Sequence, residues 1–281
     1  MKDITVGFIG QGYIGRNYAD DFEDRGYKVV RYSLEAPHKK NGSVISDCDI
    51  VFIAVPTPTT PKGFDAGILR SVMSLIGEGK IAVIKSTILP GTTEEIQTEN
   101  PHLFVFHSPE FLTEVTARED AGRPERNIIG IPRDTGEFRK KAELVMSILP
   151  RAPYELITSS KHAEFLKYAN NTWFFVKVVH VNLLHDLAEK LGLSWDVIRP
   201  AFAADSRVGS SHLNPIHKDG RGAGGNCFIK DFEAFYQFFT KNVDDPHSQA
   251  VFESIKQKNI GLLKKTNKDI HLLKQVYGEL I

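Results

Sequence analysis

The feature that most constrains the fold is a glycine triplet directly after the first strand-like run of the chain. Gly10-Gln-Gly12-Tyr-Ile-Gly15 follows the apolar residues 4–9, a helix-like segment continues to about residue 25, and residues 27–32 form a second strand-like run. In a strand-turn-helix-strand context, such glycines permit the tight turn and let the backbone approach a pyrophosphate at the helix N-terminus. The chain is therefore predicted to begin with a dinucleotide-binding unit.

Further strand-like runs alternate with helical segments over the first half of the chain. They lie at residues 49–55, 80–85, 103–106 and 127–131, and several are almost wholly apolar. Apolar strands alternating with helices predict a parallel sheet with helices on its faces. The predicted fold class is α/β, with an N-terminal Rossmann-like doubly wound parallel sheet at 1–158 and an all-helical domain with one long central helix at 159–281.

The long central helix is predicted from residues 161–191, which contain no Gly or Pro and end at Gly192. Lys167 and Asn171 lie on one face of this helix by their spacing, and the rest of that face is apolar. A helix lysine is ordinarily a solvated surface charge. Next to an amide on a face fit for burial, it is a candidate for binding a polar group.

A second glycine-rich stretch, Gly220-Arg-Gly-Ala-Gly-Gly-Asn-Cys227, precedes a helical run predicted to begin near Phe228. The helix dipole and the nearby Lys230 favour the thiolate of Cys227, which is its nucleophilic form. The alternative is a glycine hinge with a buried cysteine that packs as a small apolar group. The residues of this stretch alone favour neither interpretation.

The composition excludes several classes of partner. Lys+Arg and Asp+Glu are both 35 in 281 residues, so no charge excess predicts binding to nucleic acid or to an anionic membrane surface. No apolar run is long enough to span a bilayer. Two cysteines and no leader-like segment predict a cytoplasmic protein with reduced thiols. His180 and His185 have poor spacing for metal ligands, so no metal site is expected.

The cofactor preference depends on the end of the second strand, where an acidic residue usually holds the ribose hydroxyls of NAD. Tyr32 and Ser33 stand at that place instead. Arg31, Lys39 and Lys40 are placed to meet a 2′-phosphate, although loop charges are usually only solvated. NAD is the favoured cofactor, and the pattern leaves NADP open.

Seven strings in fixed order are similar to those of the UDP-glucose/GDP-mannose dehydrogenase family, the nucleotide-sugar 6-dehydrogenases. They extend from about residue 4 to residue 235. The strings are Gly10-x-Gly12-Tyr-Ile-Gly15, Val55-Pro-Thr-Pro-Thr59, Lys85-Ser-Thr87, Ser108-Pro-Glu110-Phe-Leu-x-Glu114, Glu164-Phe-Leu-Lys167-Tyr-Ala-Asn-Asn171, Asp205-Ser-Arg207-Val-Gly209 and Gly224-Gly-Asn-Cys227-Phe-Ile-Lys-Asp231.

The resemblance implies a two-step oxidation of a sugar C6 alcohol to a carboxylate, through a thiohemiacetal and a thioester on Cys227. Lys167 and Asn171 would donate to the oxyanion on the sugar oxygen. Glu110 would be the base for the hydrolytic water if burial raises its pKa toward neutrality. Asp231 would position that water or share its proton.

The resemblance also assigns binding roles. Cofactor contacts are expected at Gly10, Gly12, Tyr13, Ile14, Gly15, Val55, Pro56, Thr57, Thr87 and Lys230, and Thr87 is also a catalytic candidate. Substrate contacts are expected at Phe111, Leu112, Glu114, Lys167, Asn171, Arg207 and Gly224. Arg207 would reach the sugar in a neighbouring subunit, which implies a homodimer formed around the long helix.

Two departures from the family pattern bear on the substrate. A third domain that holds the nucleotide in the family is expected to begin roughly where this sequence stops. The family also has a longer segment between the second strand and the strand that leads into Val55-Pro-Thr-Pro, whereas only residues 33–49 intervene here. The expected substrate is a sugar nucleotide or a related small molecule. Two alternatives stand beside this function: a one-step NAD(P)-dependent β-hydroxyacid dehydrogenase, and a cofactor-binding subunit whose partner completes the sugar-nucleotide site.

Overall fold

The computed structural model describes residues 4–113 and 115–279, so Glu114, a predicted substrate contact, lies outside the described residues. The described chain divides into two compact units. The first comprises the described residues of Met1–Thr57 and Asp65–Lys167, and the second those of Pro58–Phe64 and Tyr168–Ile281. The division falls inside the long helix, which is Ser160–Lys190. The predicted domain boundary at 158/159 stays a prediction.

The regular elements follow the predicted alternation. The strands are β1 (Thr5–Ile9), β2 (Lys28–Tyr32), β3 (Ile50–Ile53), β4 (Thr59–Thr60), β5 (Gly63–Phe64), β6 (Ile81–Ile84), β7 (Phe104–His107), β8 (Arg126–Ile131), β9 (Tyr154–Ser159), β10 (Ile216–His217) and β11 (Gly220–Arg221). The α-helices are α1 (Tyr13–Asp24), α2 (Gly67–Val72), α3 (Thr92–Glu99), α4 (Ala117–Gly122), α5 (Gly136–Ile148), α6 (Ser160–Lys190), α7 (Trp195–Ala203), α8 (Gly225–Asn242), α9 (Pro246–Lys265) and α10 (Ile270–Tyr277). Two 3-10 helices lie at His38–Asp47 and Met73–Leu75.

The first unit contains a seven-stranded sheet with the order β2-β1-β3-β6-β7-β8-β9. Neighbouring strands are parallel except β7 and β8, where His107 pairs with Gly130 in antiparallel register. The Rossmann-like α/β class is thus confirmed, with one reversed pair. The reversal arises because the chain after β7 re-enters the sheet at the end where β7 leaves it. Strand β9 had not been predicted as a separate strand.

The core of the first unit lies between this sheet and its helices. Every residue of β3 and β6 is buried, which explains why both strands are continuous apolar runs. The rings of Phe8 and Phe52 stack with their centroids 5.1 Å apart, and Phe22 of α1 packs on both. This packing fixes α1 on the sheet, and with it the glycine turn that precedes the helix.

The second unit is largely helical, and the predicted long helix is confirmed as α6. Phe175 of α6 stacks on Phe232 of α8 with ring centroids 3.9 Å apart, at the centre of a buried apolar cluster. Two short antiparallel ribbons, β4–β5 and β10–β11, also belong to this unit. The prediction of an all-helical domain at 159–281 is therefore wrong at β10–β11. It missed this ribbon because strands of two residues carry no periodic signal.

Candidate active site

The glycine turn between β1 and α1 has the geometry that its sequence predicts. Gly10 has φ of 91°, and a Cβ there would lie 2.2 Å from the carbonyl oxygen of Ala54. A Cβ at Gly15 would lie 1.9 Å from the carbonyl oxygen of Gly10, whereas one at Gly12 would meet no heavy atom within 4 Å. Gly12 precedes the first turn of α1, so the open space lies where this motif holds a pyrophosphate. The turn fits a dinucleotide.

The two residues that follow Gly12 are anchored within the first unit. The Tyr13 hydroxyl donates to the carbonyl oxygen of Thr113 at 2.6 Å, and its side chain is 43% exposed. The partly buried side chain of Ile14 packs against the apolar core. A cofactor contact at Ile14 would therefore involve its backbone, whereas Tyr13 could contact the cofactor with its exposed ring.

The loops that leave β3 and β6 are hydrogen-bonded to each other. The Val55 N–H donates to Ser86 Oγ at 3.0 Å, and the Thr57 hydroxyl donates to the carbonyl oxygen of Thr87 at 2.7 Å. Thr57, Ser86 and Thr87 are buried, and Pro56 is exposed. The structure thus brings the predicted cofactor residues of two loops together at the carboxyl ends of adjacent parallel strands, where dinucleotides bind in such sheets.

Arg31, the residue offered for a 2′-phosphate, is already paired inside the first unit. Its guanidinium donates to Asp20 at 2.7 Å and to both carboxylate oxygens of Glu23 at 2.9 and 2.7 Å. Lys39 and Lys40 are exposed on the first 3-10 helix. Because two carboxylates neutralise Arg31, the site favours ribose hydroxyls over a phosphate, in agreement with NAD.

Glu110 and Lys167 form a buried ion pair. The Lys167 ammonium donates at 2.7 Å to both the backbone carbonyl and Oε1 of Glu110, while the Leu112 N–H donates to Oε2 at 2.9 Å. Burial raises the pKa of Glu110, but Lys167 and these hydrogen bonds outweigh it and hold that pKa below its usual value. The expectation that Glu110 would be shifted toward neutrality is therefore wrong, because it considered burial without the neighbouring cation.

The turn of α6 that precedes Lys167 is fixed by a second buried carboxylate. Glu164 accepts hydrogen bonds from the backbone N–H of Gly91 at 2.6 Å and of Thr93 at 2.8 Å, at the start of α3. A carboxylate at a helix N-terminus satisfies amides that have no partner inside the helix. Glu164 therefore ties the beginning of α6 to α3 and helps to set the position of Lys167.

Lys85 and His107, to which the sequence analysis assigned no role, are buried in the same region. The Lys85 ammonium donates to Ser108 Oγ at 3.0 Å and lies 4.3 Å from the ring centroid of Tyr18. Burial lowers the pKa of Lys85 to about 7 and that of His107 to about 3. The available signal was Lys85-Ser-Thr87 itself, since a lysine ends an otherwise apolar run there.

Phe111, a predicted substrate contact, stacks beneath a cation. The Arg126 guanidinium carbon lies 3.7 Å from its ring centroid, and the Lys167 ammonium lies 5.6 Å from it. Phe111 and Leu112 are partly buried. The structure therefore brings Phe111 and Leu112 together with Glu110 and Lys167, and their role toward substrate stays a prediction.

In the second unit, Asn171 and Asp231 are hydrogen-bonded to each other. Asn171 Nδ2 donates to Asp231 Oδ2 at 2.7 Å, and the Lys230 ammonium donates to Asp231 Oδ1 at 2.5 Å. Asn171 is buried and Asp231 is 1% exposed. The structure thus joins three predicted residues in one network. The Lys230 ammonium is bonded to a carboxylate of its own helix, and its contact with the cofactor stays a prediction.

Cys227 lies inside the first turn of α8, because this helix begins at Gly225 and not near Phe228 as predicted. Its side chain is exposed, which rules out the alternative of a cysteine packed in the core. Cys227 and Asp231 are four residues apart in the helix, so they lie about one turn apart. A helix N-terminus beside the thiol favours its ionised form.

The glycine loop before Cys227 is anchored by residues from later in the chain. The Gly225 N–H donates to Asp269 Oδ2 at 2.7 Å, and a Cβ on Gly224 would lie 2.1 Å from the same oxygen. Ala223 exchanges two hydrogen bonds with Asn259, at 2.7 and 2.9 Å. Gly224, predicted as a substrate contact, thus also has a structural requirement, since only a residue without Cβ leaves room for the Asp269 carboxylate.

Arg207 lies on an exposed loop and pairs with Asp205 through bonds at 2.9, 3.2 and 2.6 Å. Its side chain is 88% exposed. The Lys177 ammonium of α6 donates to the carbonyl oxygens of Val208 and Gly209 at 2.9 and 3.1 Å, which fixes this loop on the helix. The predicted reach of Arg207 into a neighbouring subunit stays a prediction.

Within residues 4–113 and 115–279, one group of side chains has ligand atoms close enough for a metal ion, namely His185, Asp186 and Glu189 of α6. The Asp186 carboxylate is already bonded by Arg221 at 2.6 Å and by Lys258 at 2.7 Å. Because Asp186 already has two cationic partners, binding of a metal ion as a third cation is disfavoured. Among the helices of the described residues, none combines the length and apolar composition that a bilayer crossing requires.

The comparisons with known proteins place both units. The model of the UDP-glucose/GDP-mannose dehydrogenase family, NAD binding domain, matches residues 31–146, and that of the central domain matches residues 161–259. UDP-glucose 6-dehydrogenase AglM of Haloferax volcanii is 28% identical over an alignment that covers 82% of this chain and 64% of that protein. This chain thus spans less than two thirds of the relative's length.

Two solved structures share the fold. A UDP-glucose dehydrogenase from Pyrobaculum islandicum has a TM-score of 0.80 at 24% identity, over 96% of this chain and 70% of that one. A 3-hydroxyisobutyrate dehydrogenase from Mycobacterium tuberculosis has a TM-score of 0.65 at 18% identity, over 96% of this chain and 99% of that one. The two family models together cover most of the chain and indicate NAD as the cofactor. The chain belongs to the UDP-glucose/GDP-mannose dehydrogenase family.

Proposed function

We propose that the chain carries the redox site of an NAD-dependent nucleotide-sugar 6-dehydrogenase, which oxidises a sugar C6 alcohol to a carboxylate in two steps. The observation that carries the proposal is the exposed Cys227 in the first turn of α8, one turn before the buried Asp231. A one-step alcohol dehydrogenase has no use for a cysteine at its site. The two-step reaction requires a nucleophile that holds the aldehyde until its second oxidation.

The first oxidation removes a hydride from C6 and a proton from its hydroxyl, which leaves an aldehyde. NAD, when bound at the glycine turn, supplies the acceptor for each hydride. Lys167 and Asn171, four residues apart in α6, supply N–H donors for the negative charge that develops on the sugar oxygen. In this structure the ammonium is bonded to Glu110 and the amide to Asp231, so substrate would compete for donors that are already oriented.

The second oxidation proceeds through sulfur. The Cys227 thiolate forms a C–S bond to the aldehyde carbon, and the carbonyl electron pair moves to oxygen. Loss of the second hydride gives a thioester. Water then adds to the carbonyl carbon, the C–S bond breaks, and the thiolate leaves. Each alcohol thus consumes two NAD and one water and yields an acid, two NADH and two protons.

Glu110 is the group we assign as base toward the attacking water. Its lowered pKa keeps it ionised at neutral pH, so the acceptor form is always present although its intrinsic basicity is low. The Oε1 atom is held by Lys167, and any movement of that ammonium toward the substrate oxygen would return basicity to the carboxylate. To Asp231, which is held by Asn171 and Lys230, we assign the orientation of the water.

The test is a cofactor-reduction assay with UDP- and GDP-sugars, in which NADH and carboxylate are counted per substrate consumed. We expect two NADH per acid, and no acid from Cys227→Ala. Cys48→Ala is the matched control because Cys48 is buried and its pKa is raised by burial to about 11, so that it stays an inert thiol. Undiminished acid from the Cys227 variant would refute the proposal.

The second candidate is a one-step β-hydroxyacid dehydrogenase. The observation in its favour is the 3-hydroxyisobutyrate dehydrogenase fold, which this chain matches over 99% of that protein's length. One NADH per turnover and indifference to Cys227→Ala would select it. Binding of NAD without turnover of any sugar nucleotide would instead select a cofactor-binding subunit that needs a partner chain.

We further propose a homodimer through α6, because an apolar stripe lies exposed on it. Trp173, Leu183 and Leu187 are 62%, 47% and 58% exposed, and at 100° per residue they share one face of the helix. A second copy would bury this face. Light scattering should report a dimer that Leu187→Glu converts to a monomer, and a wild-type monomer would end this assignment.

We place the protein in the cytoplasm, since a reactive exposed thiol is maintained in a reducing compartment that also supplies NAD. Cell fractionation tests this.

A further inference from the structure

Lys85 belongs to a cluster of three buried charges in the first unit, Lys85, Glu110 and Lys167, which we term the buried charge cluster. Their exposed fractions are 3%, 4% and 5%. Lys167 is bonded to the Glu110 carboxylate, and Lys85 acts on that carboxylate electrostatically. The proposed reaction assigns work to Glu110 and Lys167 and leaves Lys85 without a role.

The contacts of Lys85 connect it to Glu110 through the chain. Its ammonium donates to Ser108 Oγ at 3.0 Å, and Ser108-Pro109-Glu110 is the turn that leaves β7. Its other neighbour is aromatic, since the ammonium lies over the Tyr18 ring at 4.3 Å, a cation–π distance. Lys85 therefore restrains the residue that lies two positions before the catalytic carboxylate.

We propose that Lys85 is a positioning residue for Glu110: it holds the Ser108–Glu110 turn and adds a second buried cation that keeps the carboxylate ionised and oriented. This inference rests on the proposed function, in which Glu110 is the base. Stability gives no alternative reason for Lys85, because a buried lysine loses its hydration, and apolar replacements of buried charges are often neutral or stabilising.

The charge state of Lys85 supports the assignment. Burial lowers its pKa to about 7, with Glu110 opposing and Lys167 reinforcing the shift. The groups that face it from neighbouring elements are Tyr18 of α1, His107 of β7, Glu110 and Lys167. Tyr18 and His107 are held neutral by burial and Glu110 is held ionised. The charge of the cluster therefore changes near neutral pH as Lys85 loses its proton.

The experiment compares Lys85→Met, Lys85→Arg and Lys80→Met with the wild type. Lys80 is the matched control, because it lies just before the same strand and is ion-paired to Asp49 at 2.9 Å. Steady-state rates are measured from pH 6 to pH 9. We expect Lys85→Met to lower kcat by about ten- to a hundredfold with little change in KM. Wild-type kcat should decline as pH rises through the Lys85 transition, and Lys85→Arg should restore rate without that decline.

A second measurement does not depend on turnover. Difference infrared spectroscopy follows protonation of the Glu110 carboxylate, with Glu110→Gln identifying its band. Protonation should begin at higher pH in Lys85→Met than in wild type, and Lys85→Arg should reverse this change. An unchanged Glu110 transition, or a Lys85→Met enzyme with altered melting temperature but unaltered kcat and pH profile, would overturn the proposal. If wild type makes no acid yet the Glu110 transition shifts, the proposed function fails and the assignment of Lys85 stands.

Discussion

The buried charge cluster and residues 224–227, which we term the cysteine turn, hold their functional groups by different means. In the cluster, side chains position one another, since Lys167 bonds both the backbone and the carboxylate of Glu110. In the cysteine turn, the backbone is positioned, and Cys227 itself stays exposed while Asp269 bonds the amide of Gly225. One region is organised by charge in a medium that does not screen it, and the other by glycine conformation. Substitutions should therefore damage them through separate physical effects.

The largest effect is expected from Lys167→Met. It leaves Glu110 as a buried carboxylate without its ammonium partner, and breaking such a pair costs about 3–5 kcal/mol. Glu110 has a lowered pKa when folded, so its stabilising contribution is present above its unfolded pKa and is lost as pH falls through the folded pKa. Urea unfolding should thus show the loss fully at pH 7 and less near pH 4. Lys161→Met, which removes an exposed ion pair with Glu94, should leave both curves unchanged. Equal losses at the two pH values would contradict the charge explanation.

A smaller, steric effect is expected from Gly224→Ala. The new Cβ would meet the Asp269 carboxylate oxygen, and such overpacking costs about 1–3 kcal/mol. In an Asp269→Ala background that clash is absent, so the same substitution should cost much less. A double-mutant cycle in urea measures the coupling. Additive effects would mean that the Asp269 carboxylate does not constrain the glycine loop.

We expect Lys85 to change the free energy of unfolding by at most about 1 kcal/mol per pH unit. Its folded pKa of about 7 lies below that of an unfolded lysine. The unfolded chain therefore binds more protons between these values, and stability rises with pH from about 7 toward 10. Urea unfolding at pH 7, 8 and 9 should show this rise in wild type and not in Lys85→Met. If the free energy of unfolding rose equally with pH in both proteins, the rise would have to come from another titrating group.

The smallest effect on stability is expected from Gly12→Ala. A Cβ there meets no atom within 4 Å, and φ is −72°, so the unfolding free energy should change by less than about 0.5 kcal/mol. The methyl group would occupy the space that a pyrophosphate needs, so NAD affinity should fall by tenfold or more. Calorimetric titration with NAD checks this. Undiminished affinity would place the cofactor elsewhere.

Much of this architecture followed from local patterns. The alternation of apolar strands and the absence of Gly and Pro from 161–191 predicted the sheet and α6 because periodicity and chain breakers act locally. The reversal at β8 was missed because it depends on where a loop returns, which no local pattern records. The two ribbons were missed because each of their strands is two residues long.

In the candidate site, too, the residues that stand in sequence motifs were predicted, and the effects of residues distant in the sequence were missed. Glu110, Lys167, Asn171, Asp231 and Cys227 stand in motifs, and the structure pairs the first two and joins the next two as hydrogen-bonded partners. The sign of the Glu110 pKa shift was wrong because burial and a neighbouring cation act in opposite directions. Lys85 was given no role because its burial depends on Tyr18 and Ser108, which are distant from it in the sequence. Asp269 was missed because 42 positions separate it from Cys227.

The anchoring of Gly225 by Asp269 also bears on where this protein can be shortened. The central-domain match ends at residue 259, ten positions before the carboxylate that caps the helix of Cys227. Lys268, which donates to the carbonyl oxygen of Gly222 at 3.0 Å, lies beyond the match as well. A fragment that ends at residue 259 would keep every predicted catalytic residue. It would lose the two hydrogen bonds that hold the cysteine turn and the nearby Gly222 in place. Hydrogen bonds with Lys268 and Asp269, which directly precede α10, thus set the shortest fragment that keeps this turn intact.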